Sequence, residues 1–183
     1  MKKKKTTSRK TNNDKKMKEG LKFAQDLYGT KDIIVKKKRI SKWIIDRIEK
    51  NDKVNLKKRP TFFVVEMKNK KSNKIPIPKK FRDRQARTMI KFDTNKDGIY
   101  YDGAVIVMPK PVYDDEILKD SLLVHEITEI ASTQSIMSDL GENGYPHYWA
   151  MKAERKYLKD KHTTMKTQNK RADKLLEDVT KWK

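Results

Sequence analysis

Apolar positions along this chain fall into a few spacings, and each spacing assigns its stretch to a kind of element. A first helix is expected from about Asp14 to Tyr28, carrying Leu21, Phe23, Ala24 and Leu27 and ending near Gly29. Ile40, Trp43, Ile44 and Ile48 repeat at i, i+3, i+4 and i+8, so a short amphipathic helix is expected over 40–50, after the basic run Lys36–Arg39. Thr61–Met67 is a continuous β-branched and aromatic run behind Pro60 and predicts a strand. Thr88–Asp93 and Ile99–Met108 predict two more, joined through the turn signal at 94–98 and stopped by Pro109 and Pro111. Asp114 or Asp115 is placed to cap a long helix to about Ile136, with Ile117, Leu118, Leu122, Ile127, Ile130 and Ala131 facing a core. Pro146, whose missing N–H costs nothing at a helix start, opens the next helix, to about Lys159. A last helix, about Met165–Trp182, has Leu175, Leu176 and Val179 as its apolar stripe.

The polar stretches set the boundaries. Residues 1–18 offer almost nothing to bury and are expected to form a disordered basic tail. Residues 19–60 read as a basic helical region, 61–160 as the core, and 161–183 as a charged C-terminal helix. Lys68–Lys80 reads as a basic loop, extended at Ile75–Pro78 because proline disfavours helix in the residue before it. A Gly-containing loop is expected over Ser138–Tyr145. The fold class is α+β: a small twisted antiparallel or mixed sheet with a pair of neighbouring helices, plus the basic tail and helices.

Charge changes the picture. Lys and Arg number 46 against 25 Asp and Glu, a formal net charge of +21 that favours polyanions such as nucleic acid. Only nine of the 46 are Arg, and lysine suits phosphate backbones better than base edges. Residues 113–146 run the other way, with eight acids against Lys119, a local charge of −7. Asp114, Asp115 and Glu116 suit the first turn of a helix, where the macrodipole favours negative charge. Glu126 and Glu129 lie mid-helix, and that reason does not reach them. A cation site would.

Cysteine is absent, so there is no disulfide and any metal site must use His, Asp and Glu. The N-terminal lysines are not followed by an apolar h-region, and no apolar run is long enough to span a membrane. An intracellular (cytoplasmic) or particle-associated protein is the expectation, not a secreted one.

The chemistry concentrates in His125-Glu126-Ile127-Thr128-Glu129. His125 and Glu129, at i and i+4, project from one helix face roughly one 5.4 Å pitch apart, the spacing by which a helix offers two ligands to one ion. His147, on the next helix, completes a His₂Glu set that leaves the fourth position of a zinc ion for water. Glu126 would then lie where a general base belongs. Glu154 is two turns beyond His147, a fourth ligand or an outer acceptor orienting an imidazole.

Residues 99–154 resemble the zincin-like metallopeptidases, in which a strand precedes a metal-binding helix and a later helix supplies another ligand. They are more closely similar to small phage and archaeal proteins that carry an HExxE helix followed by a helix bearing His and Glu. The resemblance covers roughly a third of the chain and implies a zincin-like core over 61–160. It also implies that an edge strand, Ile99–Met108 here, aligns a peptide beside the metal. Glu129 stands where the better-known motif has His; as a harder donor it suits Mn²⁺ or Fe²⁺ as well as Zn²⁺.

The functional expectation is a metal-dependent hydrolase, peptidase-like, with a metal-bound water activated by Glu126 and a basic surface for nonspecific association with nucleic acid or another polyanion. Lys79, Lys80, Arg82, Arg84 and Arg87 form the most Arg-dense basic patch, with Phe81 as one stacking surface. The alternative is a non-enzymatic nucleic-acid-associated structural or packaging protein whose HExxE is a relic. Two lesser features are assigned structurally. Asp93–Gly98 copies the opening of a calcium loop, but Ala104 stands where the bidentate Glu is needed, so a hairpin turn is expected. His162 is expected at the surface. Tyr145, Tyr148 and Tyr157 lie near the proposed site, where one could stabilise an oxyanion, although packing is the commoner role for aromatic residues flanking helices.

Overall fold

A computed structural model describes residues 4–52, 56, 58–68, 86–95, 98–138 and 146–180. In chain order the elements are α1 (Lys4–Tyr28), β1 (Ile33–Lys38), α2 (Lys42–Asp52), β2 (Thr61–Met67), β3 (Arg87–Asn95), β4 (Gly98–Pro109), α3 (Lys110–Asp114), α4 (Glu116–Ser138), α5 (Pro146–Asp160) and α6 (Met165–Thr180). The class is α+β. One four-stranded mixed sheet runs β1-β2-β4-β3, with β1 and β3 antiparallel to their neighbours and β2 parallel to β4.

The sheet is covered on both sides. α1 lies on the face that carries Phe63, where Gly20 meets the Phe63 ring; Glu19 pairs with Lys91 and Asn13 accepts from Lys37 at 3.0 Å. α3 and α4 cover the other face, through the Phe62–Tyr113 ring contact at 5.9 Å and the Thr88–Glu126 hydrogen bond. Double coverage explains the unbroken apolar runs: Phe62–Val65 and Ala104–Met108 are buried on both faces, so neither needs to alternate. The core is one cluster running from Ala24 on α1 to Ala172 on α6.

Several expectations are corrected. The first helix starts at Lys4, so residues 4–18 of the expected disordered tail are helical; residues 1–3 lie outside the described residues. β1 was not expected. Only Ile33 and Val35 point inward, and the lysines that follow hide the alternation, which is completed by pairing with Val65 and Met67. Ile99–Met108 lies within β4, which is interior; the outer strands are β3 and β1. The fully buried segment 104–108 needs a neighbour on each side, and β2 takes the side opposite β3.

Other elements follow the apolar pattern closely. Asp115 accepts the Leu118 N–H at 3.1 Å as the cap of α4, though the short α3 precedes it. β3 and β4 form a hairpin that pairs Asn95 with Gly98, as the turn reading expected. The loop Ile75–Pro78, the loop after Ser138 and the end of the last helix at 181–182 lie outside the described residues.

Candidate metal centre

α4 passes between the sheet and α5, and the side chains of a single turn point to both neighbours. His125 and Glu129, one turn apart, face α5. Glu126 is rotated roughly 100° from His125, which turns it toward β3. There the Thr88 hydroxyl donates to Glu126 Oε2. Pro146 starts α5 as expected, and brings His147 in its first turn opposite Glu129.

Three ligand atoms converge. His125 Nε2 is 3.6 Å and His147 Nδ1 3.7 Å from Glu129 Oε2, and the three residues offer ligand atoms that all lie within 4.8 Å of one another. The imidazoles meet edge to face with centroids 4.9 Å apart. In a tetrahedral zinc site with bonds of about 2.0–2.1 Å, neighbouring ligand atoms stand about 3.3 Å apart. Two of the observed separations therefore need to shrink by only a few tenths of an ångström. This His-Glu-His group can hold a metal ion.

Glu154 sits behind the first imidazole, not among the converging atoms. His125 Nδ1–H donates to Glu154 Oε2 at 2.9 Å, and both side chains are largely buried. That bond fixes the ring and leaves Nε2 facing Glu129. A carboxylate on the far nitrogen is the usual way a ligating histidine is oriented and made more basic.

The electrostatics are strongly perturbed. Burial alone would lower the His125 pKa, but the Glu129 and Glu154 carboxylates outweigh it, with Glu126 adding to them, and raise it to about 10. The His125 imidazole holds the Glu129 carboxyl below its ordinary range, against the effect of burial, and His147 acts in the same sense. Glu126 is shifted up by burial, against the Thr88 hydrogen bond and the neighbouring His125 and Arg87 charges. Two carboxylates three residues apart are thus driven in opposite directions. Burial dominates at Glu126, whereas the imidazole partners dominate at Glu129.

A cleft of about 300 Å³ opens beside these groups. Met165 and Asn169 of α6 reach it, as do Arg87 and Thr88 of β3. None of these four was expected there, because they come from elements far from α4 in sequence and belong to no motif. Arg87, expected in the basic nucleic-acid patch, lines this acidic cleft, since strand β3 begins with it. Lys79, Lys80, Arg82 and Arg84 lie outside the described residues, as does Tyr145. Of the other tyrosines, Tyr148 is exposed against Trp149, and Tyr157 is buried with its ring stacked on Trp43 at 5.8 Å. Neither lines the cleft. His162 is exposed just past α5 in a left-handed backbone conformation (φ 52°).

No protein-family model, curated protein or solved structure matches this chain.

Proposed function

We propose that this protein is a metal-dependent hydrolase of peptidase-like type, in which His125, Glu129 and His147 hold a zinc-class ion, with Mn²⁺ or Fe²⁺ as alternatives, and Glu126 is the general base. The observation that carries the reading is the convergence of three ligand atoms beside a buried carboxylate, Glu126, whose pKa is pushed up. When bound, the ion would polarise the scissile carbonyl and acidify the attacking water. Glu126 accepts that water's proton as oxygen adds to the carbonyl carbon, then returns it to the nitrogen as the C–N bond breaks. Its raised pKa brings it nearer the operating range of a base at neutral pH.

Thr88 holds one Glu126 oxygen and leaves the other for the proton. The same residue belongs to β3, an outer strand of the sheet. Among the described residues no strand pairs with the outer edge of β3, and that edge beside the cleft supports a peptide as substrate, since an extended chain can be aligned there by strand addition. The zincin resemblance points the same way, with β3 in the place first given to 99–108.

Elemental analysis of the purified chain tests the metal. The expected result is one equivalent of transition metal in wild type and a stoichiometric loss in His125→Ala. Hydrolysis of a quenched fluorescent peptide library tests the chemistry: Glu126→Gln should retain the metal and lose about 10²–10⁴-fold in rate. A metal-loaded protein whose hydrolysis is indifferent to Glu126→Gln has a structural ion. A wild type that takes up no metal, yet binds nucleic acid in a salt-sensitive way, is the structural or packaging protein of the alternative.

A further inference from the structure

A second cleft, of about 310 Å³, lies on the opposite face of the sheet, between α1 and the bulged part of β4. Its charge is the inverse of the first. Five cations line it, Lys15 and Lys16 from α1, Lys58 and Arg59 ahead of β2, and Lys91 from β3, against two carboxylates, Glu19 and Asp102. Lys58 pairs with Asp102 at 2.9 Å and Lys91 pairs with Glu19. Lys15, Lys16 and Arg59 form no ion pair among the described residues, so three positive charges face one space without compensation. Asp102 itself reports the field: the hydrogen-bonded Lys58 holds its carboxyl below the ordinary range, and Lys91 and Lys15 act in the same direction.

The floor is built by an irregularity in the sheet. Lys91 pairs with Gly103 but Phe92 pairs with Tyr101, so Asp102 is squeezed out of the ladder. Gly103 takes a φ of +157°, and a Cβ there would meet nothing nearer than Lys58 Cε at 4.0 Å. The missing side chain keeps the floor open beneath the cations.

We propose that this cleft binds a phosphate group, and that the phosphate is one unit of a polynucleotide backbone. Lysine-dominated charge with a single Arg holds phosphate oxygens without reading bases. No aromatic side chain lines the cleft among the described residues, which favours sequence-independent binding to the backbone over base stacking. The cations also continue beyond it: Lys18 and Lys22, exposed at three and seven residues after Lys15, share its side of α1. Spaced about 5 Å apart along the axis, they suit a chain of phosphates better than an isolated anion. The inference is independent of the metal centre.

The test uses the full chain and a fluorescein-labelled oligothymidylate, followed by anisotropy over a series of NaCl concentrations. The variant is Lys15→Gln/Lys16→Gln/Arg59→Gln. Its control, Lys31→Gln/Lys156→Gln/Lys174→Gln, removes the same charge from exposed lysines elsewhere. The cleft variant should lose tenfold or more in affinity, and its log–log salt slope should fall by about 2, the value for three contacts to a single strand. The control should lose less than threefold. Equal losses in the two variants, or none in the first, overturn the proposal. Inorganic phosphate distinguishes the source: displacement beyond that caused by chloride at matched ionic strength, abolished in the cleft variant, assigns the site to the free ion. Displacement equal to chloride assigns it to the polymer. A wild type that binds neither probe overturns the site altogether.

Discussion

Glu126 is a buried carboxyl that the fold would hold more cheaply without its charge. Its pKa is raised chiefly by burial, so above the ordinary carboxyl value the unfolded chain gives up the proton first and the native state binds more protons. Native stability must then fall as pH rises from about 4.5 through the folded value. Glu126→Gln removes that dependence. In chelator, urea melts of the variant should match wild type near pH 4 and show a higher midpoint than wild type at pH 7–8. A variant no more stable than wild type at pH 7–8 would show that the charge is already compensated. Glu154 plays a different part, as the acceptor on a single imidazole nitrogen, His125 Nδ1. Glu154→Gln can keep an acceptor on His125 Nδ1 but loses the charge that makes the ring basic. Calorimetric zinc affinity should drop about 10–100-fold, with the fold intact by circular dichroism.

At the scale of elements, packing overrides local preference, and Gly20 shows by how much. It sits inside α1, where alanine would be favoured by about 1 kcal/mol on propensity alone. A Cβ there would lie within 2.9 Å of Phe63 Cζ and closer still to two other carbons of the same fully buried ring. Overpacking of that kind costs about 1–3 kcal/mol. Gly20→Ala should therefore destabilise the protein on balance, read as a lower urea midpoint at unchanged m-value. A stabilised variant would mean that α1 shifts freely on the sheet. The same contest decides what could be read in advance. Thr61–Met67, Asp115 and Pro146 carry their structure locally, as a β-branched run, a cap and a first-turn proline, and each was legible. His125, Glu129 and His147 were legible as a set because helical spacing and one short connection bring them together. β1 was not, because Ile33 and Val35 become a strand only through partners thirty residues away. Nor were Thr88, Met165 and Asn169, whose place at the cleft is a property of sheet order and of the return of α6. The edge strand was misassigned for the same reason: apolar content marks 104–108 as buried but cannot say which neighbours bury it.

Over the whole molecule, the sheet separates two opposite fields. Glu126, Glu129 and Glu154 gather on the α4 side, while the α1 side collects lysines from three separate segments. A net charge of +21 acting on itself disfavours compaction, so an anion bound on the α1 side should stabilise the fold, whereas a cation on the α4 side acts through the carboxylates gathered there. The acidic side allows the sharper prediction. His125 and Glu129 belong to α4 and His147, exposed at the surface, to α5, so an ion bound to all three ties the two helices together. An ion that binds only the native arrangement adds RT ln(1 + [L]/Kd), about 2.7 kcal/mol at a hundredfold excess over Kd. For a chain of this size that corresponds to a rise of roughly 5–10 °C in Tm, reversed by chelator. His147→Ala should keep most of the metal-free Tm, because an exposed side chain contributes little to packing, yet lose most of the metal-induced rise. If His147→Ala instead retains the full rise, the ion is held within α4 alone and the two helices are not bridged. The magnitude of the shift, compared between wild type and this variant, therefore measures how completely the fold converts one pair of helices into one binding site.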